Sequence, residues 1–153
     1  MNIYHSFFCQ PALFFDYGEF YTQEDTVRGY QKHKQVSILS QPGFVDITSD
    51  VDFGACESVA VESGVRVETP VTQGEFLVRM GAVERVERLI SDEKTTDDEA
   101  HHILESFKRI VDISDMGGKF KVLGVSSIDE HAENCSGDDT FTMPGFIAKI
   151  NES

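Results

Sequence analysis

The pattern of apolar and polar positions predicts that most of this chain forms short β-strands. The apolar runs are rich in Val, Ile, Phe and Tyr, and Gly, Pro, Asp or Ser residues bound them, which is typical of strands joined by turns. The runs with this pattern span residues 13–22, 35–39, 44–48, 58–62, 65–68, 75–80, 119–123, 140–143 and 146–150. We therefore expect a fold that is rich in β-structure.

Ser63 and Gly64 predict a tight hairpin turn between two of these runs. A two-residue turn that contains Gly favours antiparallel pairing of its flanking strands. Charged residues also occupy alternate positions of the second arm, 65–68, as expected for a strand with one face in water. The runs 75–80 and 119–123 each follow a glycine, and charged residues alternate strictly in the second of them. We expect both runs to be strands with one face exposed to water.

A capping box in the middle of the chain predicts a helix. Thr96 and Glu99 have the spacing at which a hydroxyl and a carboxylate satisfy the free amides of a helix start, and acidic residues there suit the helix dipole. Apolar residues then recur at helical spacing at Ala100, Ile103, Leu104, Phe107, Ile110 and Val111. The spacing of Val83, Val86 and either Leu89 or Ile90 indicates a preceding helix, although the β-branched residues there also fit a strand.

Together these segments predict one α+β domain that spans residues 1–153. We expect a β-rich, sandwich-like fold with one or two helices inserted between strands. A chain of 153 residues is long enough for a single hydrophobic core. No repeat, linker or low-complexity run divides it, so nothing in the sequence indicates a second domain.

The charge of the chain narrows the class of partner. Acidic residues outnumber basic residues 27 to 13, which gives a formal net charge of −14. Such a charge repels nucleic acid and anionic membranes and attracts cationic macromolecules, so we expect a basic protein partner, no nucleic acid and no membrane. The apolar amino terminus lacks the basic residues of a secretory signal, and three cysteines fit a reducing compartment, so we expect a cytoplasmic protein.

The candidate metal and nucleophile positions do not form a specific motif. His101, His102 and Glu105 lie within about one helical turn, but a transition metal needs three or four convergent ligands. Histidines on the solvent side of the helix explain the same pattern. His131 and Cys135 are four residues apart in an acidic segment, which raises the pKa of a thiol rather than lowering it. We expect neither a metal site nor a catalytic cysteine.

The acidic run around residues 46–57 does not have the spacing of a calcium loop. An EF-hand loop has Gly at its sixth position, whereas Gly54 is the fifth residue counted from Asp50. Neither of the glycine-rich phosphate-binding motifs occurs in the chain. The sequence therefore predicts no cofactor and identifies no catalytic residue.

Four segments carry a resemblance to a known family. They are the aromatic run 15–21, the tripeptide 28–30, the run 68–72 and the segment 118–122. Together they resemble the competence protein J family, small bacterial inhibitors of a DNA-entry nuclease. This chain differs from that family by a helical insertion at about 81–107 and by an acidic tail. The resemblance implies a β-rich binding module without a cofactor, which acts by covering its partner.

Resemblance and charge together predict a non-enzymatic bacterial immunity or inhibitor protein that binds and neutralises a basic nuclease or toxin. An acidic surface can occupy a basic cleft by supplying carboxylates where phosphates bind. The predicted partner-binding residues, taken from two stretches without Lys or Arg, are Asp129, Glu130, Glu133, Asp138, Asp139, Asp46, Asp50 and Asp52.

Three alternatives remain open at this stage. The acidic composition serves solubility alone in many proteins of this kind. The numerous aromatic residues of the first thirty positions would also suit a small-ligand-binding or enzymatic domain in which they line a pocket. A structural subunit of a larger assembly is the third alternative.

Overall fold

The computed structural model describes residues 11–126 and 143–146. Its strands are β1 (Ala12–Glu19), β2 (Arg28–Gln31), β3 (Lys34–Val36), β4 (Asp46–Thr48), β5 (Val51–Asp52), β6 (Arg66–Thr72) and β7 (Phe120–Ser126). Its helices are α1 (Phe53–Glu62), α2 (Gln73–Arg79), α3 (Ala82–Ile90), α4 (Asp97–Val111) and the single turn α5 (Met116–Lys119). The predicted mixed α+β fold is therefore confirmed.

The strands form two sheets. The larger sheet has the order β5-β1-β7-β6, and the smaller antiparallel sheet has the order β3-β2-β4. In the larger sheet β1 is parallel to β5 and antiparallel to β7, and β7 is antiparallel to β6. The strands β5, β1 and β6 thus share one direction, so their carboxyl ends lie at the same edge of the sheet.

Helices pack against both faces of the larger sheet. With α2, one face forms an apolar cluster of Val71, Phe76, Val122, Met143 and Phe146. With α1, the other face forms a cluster of Phe53, Val67 and Leu123. The two clusters lie on opposite faces because Val122 and Leu123 are successive residues of β7. The sheet is therefore the middle layer between helices, and the predicted sandwich-like packing is not confirmed.

Two of the predicted strands are helices, and the reason in both cases is a helix cap. Residues 58–62, predicted as the first arm of the hairpin, belong to α1, whose start is capped by the side chain of Asp52. Residues 75–80 lie mainly in α2, which begins with a complete capping box formed by Thr72 and Glu75. The capping box of α4 at Thr96 is confirmed, and α3 confirms the helical interpretation of 83–90.

The strand predicted at 119–123 is confirmed as β7, but it does not have the predicted solvent-exposed face along that run. Lys121 is only 2% exposed, and the three residues after it are also buried. The predicted strands 140–143 and 146–150 lie outside the described residues except at Met143 and Phe146. The main chain of these two residues closes a turn, in which the Phe146 amide donates to the Met143 carbonyl over 3.1 Å.

Candidate functional site

The carboxyl ends of β1 and β5 form the best candidate for a functional site. In open sheets with parallel strands, ligands bind beyond the carboxyl ends of those strands. Gly18 of β1 pairs with Val51 of β5, and a Cβ atom at Gly18 would overlap the Val51 carbonyl group. Only glycine permits this approach, so the two strand ends are held side by side.

The first turn of α1 packs against the chain that continues from β1. A Cβ atom at Gly54 would overlap the carbonyl oxygen of Phe20, so glycine is required here as well. Asp52 connects the same two segments. Its carboxylate accepts a hydrogen bond from the Thr22 hydroxyl and another from the Ala55 amide over 2.9 Å. The residues after β1 are thereby fixed against the helix start.

These hydrogen bonds also set the ionisation of Asp52. The bond from the Thr22 hydroxyl, followed by the bond from the Ala55 amide, holds the pKa of Asp52 below its ordinary value. Both donors stabilise the charged carboxylate, and Asp52 is only partly buried, so burial opposes this lowering of the pKa only weakly. Asp52 is therefore a carboxylate at neutral pH, and its main contacts are structural.

A buried ammonium group lies beside this edge. The Nζ atom of Lys121 is 3.3 Å from a carboxylate oxygen of Glu19 and donates a hydrogen bond to the Gly118 carbonyl oxygen over 2.6 Å. It also lies 5.4 Å from the centre of the Phe20 ring. The Glu19 side chain is about one-third exposed. A carboxylate has several lone-pair sites, so Glu19 can hold Lys121 and still accept a donor from a ligand.

The smaller sheet is joined to the same edge by an ion pair. The Arg28 guanidinium contacts the Asp50 carboxylate, and Arg28 Nε donates to the Thr26 carbonyl oxygen over 3.0 Å. The Asp50 amide in turn donates to the Thr26 hydroxyl over 3.3 Å. This network fixes β2 next to the residue that precedes β5.

The predicted partner-binding residues are placed only in part. Asp46 is an exposed residue of β4, Asp50 pairs with Arg28, and Asp52 caps α1. Two of these three carboxylates are thus engaged inside the chain. The other five, at positions 129, 130, 133, 138 and 139, lie outside the described residues. Whether any of the eight binds a partner stays a prediction.

An apolar groove of about 790 Å³ runs between β1 and α1. Phe14, Phe53, Val59 and Leu123 are among the residues that line it. Among the described residues that line this groove, Asp16 is the only one with a charged side chain. Its volume is in the range of small-molecule pockets, but its walls offer few polar groups to orient a polar ligand.

The described residues contain neither a metal-binding cluster nor a helix that could span a membrane. Within residues 11–126 and 143–146, no three or more His, Cys, Asp or Glu side chains converge in a way that would hold a metal ion. In the same part of the chain, none of the helices has the length and apolar character needed to cross a bilayer.

Comparisons with known proteins relate the chain to enzymes. Residues 1–71 match a family described as "Putative S-adenosyl-L-methionine-dependent methyltransferase". The chain is 36% identical over 115 residues to "Protein arginine methyltransferase NDUFAF7 homolog, mitochondrial" from Drosophila melanogaster. This alignment covers 74% of this chain and 26% of the relative. The homologue from Caenorhabditis elegans is 37% identical over 111 residues, which covers 72% of this chain and 25% of the relative. The similarity is to methyltransferases.

Solved structures share the fold. A likely methyl transferase from Burkholderia thailandensis, bound to S-adenosyl-homocysteine, superimposes with a TM-score of 0.66 at 22% sequence identity. The match covers 76% of this chain and 31% of the Burkholderia chain. The chain likewise spans about a quarter of the length of the curated relatives.

These findings overturn the expected function. The resemblance to the competence protein J family is wrong, and so is the expectation of a non-enzymatic immunity or inhibitor protein, because the relatives are methyltransferases. The segments that carried the resemblance are parts of strands and turns that many folds contain, and net charge does not distinguish an inhibitor from an acidic enzyme. The alternative of an enzymatic domain is the better supported one.

The described residues do not by themselves fit S-adenosylmethionine. A close approach of backbone to a nucleotide-like cofactor generally uses a glycine-rich turn after a strand. None of the chain's twelve glycines is separated from another by a single residue. Gly18 and Gly54 serve chain packing, and the groove beside β1 is too apolar to hold an amino acid and a ribose. No complete cofactor site is present in residues 11–126 and 143–146.

Sequence reasoning missed the residues at this edge. The pair of Glu19 and Lys121 joins strands that are distant in sequence, so no local pattern identifies it. Gly18 was a detectable signal, since glycine inside an apolar strand often marks a close backbone approach. Recognising the edge also required knowing that β1 and β5 are parallel.

Proposed function

We propose that this chain forms one side of an S-adenosylmethionine-dependent methyltransferase. The observation that carries the proposal is the 36% identity to a methyltransferase over 74% of this chain, together with the family match over residues 1–71. The fold shared with the Burkholderia protein is in agreement. Because the chain corresponds to a quarter of these relatives, the activity is proposed for the enzyme that contains this fold, with this chain contributing the β1–β5 edge.

The arrangement of the larger sheet supports this role. Three strands end at one edge, where α/β enzymes bind their ligands. Glycine-dependent contacts and the Asp52 cap make this edge rigid, which suits a site that must hold a reacting group in one position. In this proposal the glycine-rich part of the cofactor site comes from other residues of the enzyme.

An arginine side chain of a protein is the acceptor that we propose. The relatives named above are protein arginine methyltransferases by their printed names. A guanidinium group is recognised by carboxylates, often through two parallel hydrogen bonds. Glu19 supplies a solvent-accessible carboxylate at the edge, and the net charge of −14 attracts arginine-rich proteins over a longer range.

A chimaera tests the proposal. In the Burkholderia protein, the segment matched by this chain is replaced by this chain. Binding of S-adenosyl-homocysteine is measured by titration calorimetry. Transfer of the methyl group from radiolabelled S-adenosylmethionine to lysate proteins is then measured as the methylarginine recovered after acid hydrolysis. We expect both binding and transfer, with transfer lost in Glu19→Ala while binding persists. A folded chimaera without either property would contradict the proposal, and the Burkholderia protein with the segment deleted is the control.

A further inference from the structure

We infer that Tyr17 is a specificity-determining residue, whose ring stacks on the guanidinium group of the arginine acceptor while Glu19 binds the edge of the same group. The inference rests on the proposed function, because it describes how the acceptor is held at the β1–β5 edge. It goes beyond that function by assigning a second side chain to the acceptor and by giving a physical reason for the selection of arginine over lysine.

Tyr17 and Glu19 lie on the same face of β1. Both belong to the strand Ala12–Glu19, in which side chains two positions apart point to the same side. At the rise of a β-strand, the two side chains leave the backbone roughly 7 Å apart. A cation interacts with an aromatic ring when it lies within about 6 Å of the ring centre. One guanidinium group can therefore contact both side chains at once.

The Tyr17 ring is held in place and is still accessible to a ligand. Its centre lies 4.0 Å from the ring centre of Phe120, which is its partner in the register of β1 and β7, and the two ring planes are inclined by 35°. Although Phe120 packs against one side of the ring, Tyr17 is 47% exposed, so the other side faces water. A ring that is already fixed loses little conformational freedom when a ligand stacks on it.

Glu19 keeps hydrogen-bonding capacity for the same ligand. The Lys121 ammonium lies 3.3 Å from Glu19 Oε2, and its hydrogen bond to the Gly118 carbonyl oxygen holds it there. A carboxylate offers about four lone-pair sites, and this contact uses only part of them. Since the Glu19 side chain is about one-third exposed, the remaining sites are open to a donor from solution.

Lys121 also indicates which cation this edge selects. Its ammonium group lies 5.4 Å from the centre of the Phe20 ring, so a cation held by Glu19 and an aromatic ring together already occurs here. A second compact ammonium group beside Lys121 would be repelled by it. A guanidinium group has a delocalised charge and weaker hydration, stacks on aromatic rings and matches a carboxylate through two parallel hydrogen bonds. Arginine is therefore favoured over lysine between Glu19 and Tyr17.

Titration of the intact 153-residue chain with short peptides tests the inference directly. The probes are glycine pentapeptides whose central residue is arginine, lysine or citrulline. The readout is the NMR shift of the isotope-labelled Tyr17 ring, assigned by the loss of its signal in Tyr17→Phe. We expect saturable shifts with the arginine peptide, binding of the lysine peptide that is weaker by about fivefold, and no shift with uncharged citrulline. Equal binding of the arginine and lysine peptides, or an unshifted Tyr17 ring, would overturn the inference.

Three substitutions in the chimaera separate ring stacking from a merely structural role. Tyr17→Phe keeps the ring, Tyr17→Leu removes it, and Phe44→Leu removes an exposed ring that precedes β4. We expect Tyr17→Leu to raise KM for the arginine peptide about fivefold, with kcat and the binding of S-adenosyl-homocysteine nearly unchanged. Tyr17→Phe and Phe44→Leu should behave like the unsubstituted chimaera. An equal rise in KM for Tyr17→Phe and Tyr17→Leu would contradict stacking.

The outcomes separate this inference from the proposed function. A chimaera that methylates arginine with the same KM before and after Tyr17→Leu would overturn the inference and leave the proposed function standing. Arginine-selective binding at the Tyr17 ring of the intact chain, together with a folded chimaera that neither binds S-adenosyl-homocysteine nor transfers methyl groups, would do the reverse. If Tyr17→Leu or the chimaera does not fold, the peptide titration of the intact chain decides, because it needs neither of them.

Discussion

Two neighbouring strands of the same sheet, β1 and β7, differ sharply in burial although both are apolar. Four consecutive residues of β7, from Lys121 to Gly124, are buried, whereas six of the eight residues of β1 are exposed. The pairing explains the difference. β7 has a strand on each side and helices over both faces, while β1 pairs with β7 over residues 12–17 and with β5 only at Gly18 and Glu19.

An apolar strand is buried only where neighbouring strands and helices cover it, so its sequence alone does not determine how much of it is buried. We call the half of the sheet formed by β7 and β6 the closed side, because helices cover both of its faces and both apolar clusters lie there, although β6 is an outer strand. The side formed by β1 is open, and it is also the side that carries the candidate functional site. The open side of the sheet and the candidate functional site are therefore adjacent.

The largest expected effect comes from truncating the same residue type on each side. Phe53 is 1% exposed in the cluster with Val67 and Leu123, whereas Phe14 is 54% exposed. We expect Phe53→Ala to lower the free energy of unfolding by about 4 kcal/mol through lost burial and a cavity. Phe14→Ala should cost less than about 1 kcal/mol in the isolated chain. Urea denaturation followed by circular dichroism measures both, and equal losses would contradict the distinction between open and closed sides.

A second expected effect concerns the buried charge where the two sides meet. Glu19→Gln leaves the Lys121 ammonium buried without its carboxylate, and we expect a loss of about 2 kcal/mol. This is less than for a fully buried pair because Glu19 is partly solvated. Lys121→Met removes the charge and keeps most of the volume, so it should cost less. The double variant should therefore be more stable than Glu19→Gln alone. A double variant that shows the sum of the two losses would indicate that the pair is not coupled.

A structural feature of this chain could be predicted from the sequence when the residues that determine it are close together in the chain. The start of α4 was predictable because Thr96 and Glu99 are three residues apart and the side chain of each bonds the backbone amide of the other. The same spacing at Thr72 and Glu75 marks α2, but the short apolar run after Gly74 favoured a strand. In α1 the cap is Asp52, which lies in an acidic run of the sequence and which we predicted to bind a partner.

The candidate site was not predictable because its residues are far apart in the sequence. Glu19 and Lys121 meet only because β1 and β7 pair, and the pairing follows from tertiary packing. The buried state of Lys121 contradicts the ordinary preference of lysine for water, and only its contacts with Glu19, Gly118 and Phe20 explain it. The acidic composition, by contrast, was visible at once but did not specify a function.

A smaller effect is expected in the helical layer over the closed side. The Thr96 hydroxyl accepts a hydrogen bond from the Glu99 amide over 3.3 Å, and Glu99 accepts one from the Thr96 amide over 2.9 Å. Thr96→Ala removes the first of these bonds and should cost about 1 kcal/mol. Ser106→Ala, at an exposed position of the same helix, should be neutral or slightly stabilising. Thermal unfolding monitored at 222 nm compares the two, and an unchanged Tm for Thr96→Ala would show that α4 does not need its cap.

The smallest effect is expected at Asp52 on the open side, and it depends on pH. Hydrogen bonds from the Thr22 hydroxyl and the Ala55 amide lower the pKa of Asp52 in the folded chain. A lowered pKa means that the carboxylate stabilises the fold above the ordinary Asp pKa, about 3.9, and that this stabilisation is lost as the pH falls through the folded value. Asp52→Asn retains one accepting oxygen, so only the charge-dependent part is removed. Tm measured from about pH 7 down to about pH 3 should show a gap between wild type and Asp52→Asn that narrows toward acid.

Asp46→Asn provides the matched control, because Asp46 is an exposed residue of β4 that caps no helix. Its Tm should follow that of the wild-type chain across the same pH range. A gap for Asp52→Asn that widens toward acid would reverse the sign of the linkage and contradict the hydrogen bonds assigned to the carboxylate. The Tm difference between wild type and Asp52→Asn can also be compared between the isolated chain and the chimaera. If it narrows toward acid in the isolated chain but is larger at every pH in the chimaera, the β1–β5 edge depends more on this cap when the open side of the sheet is covered.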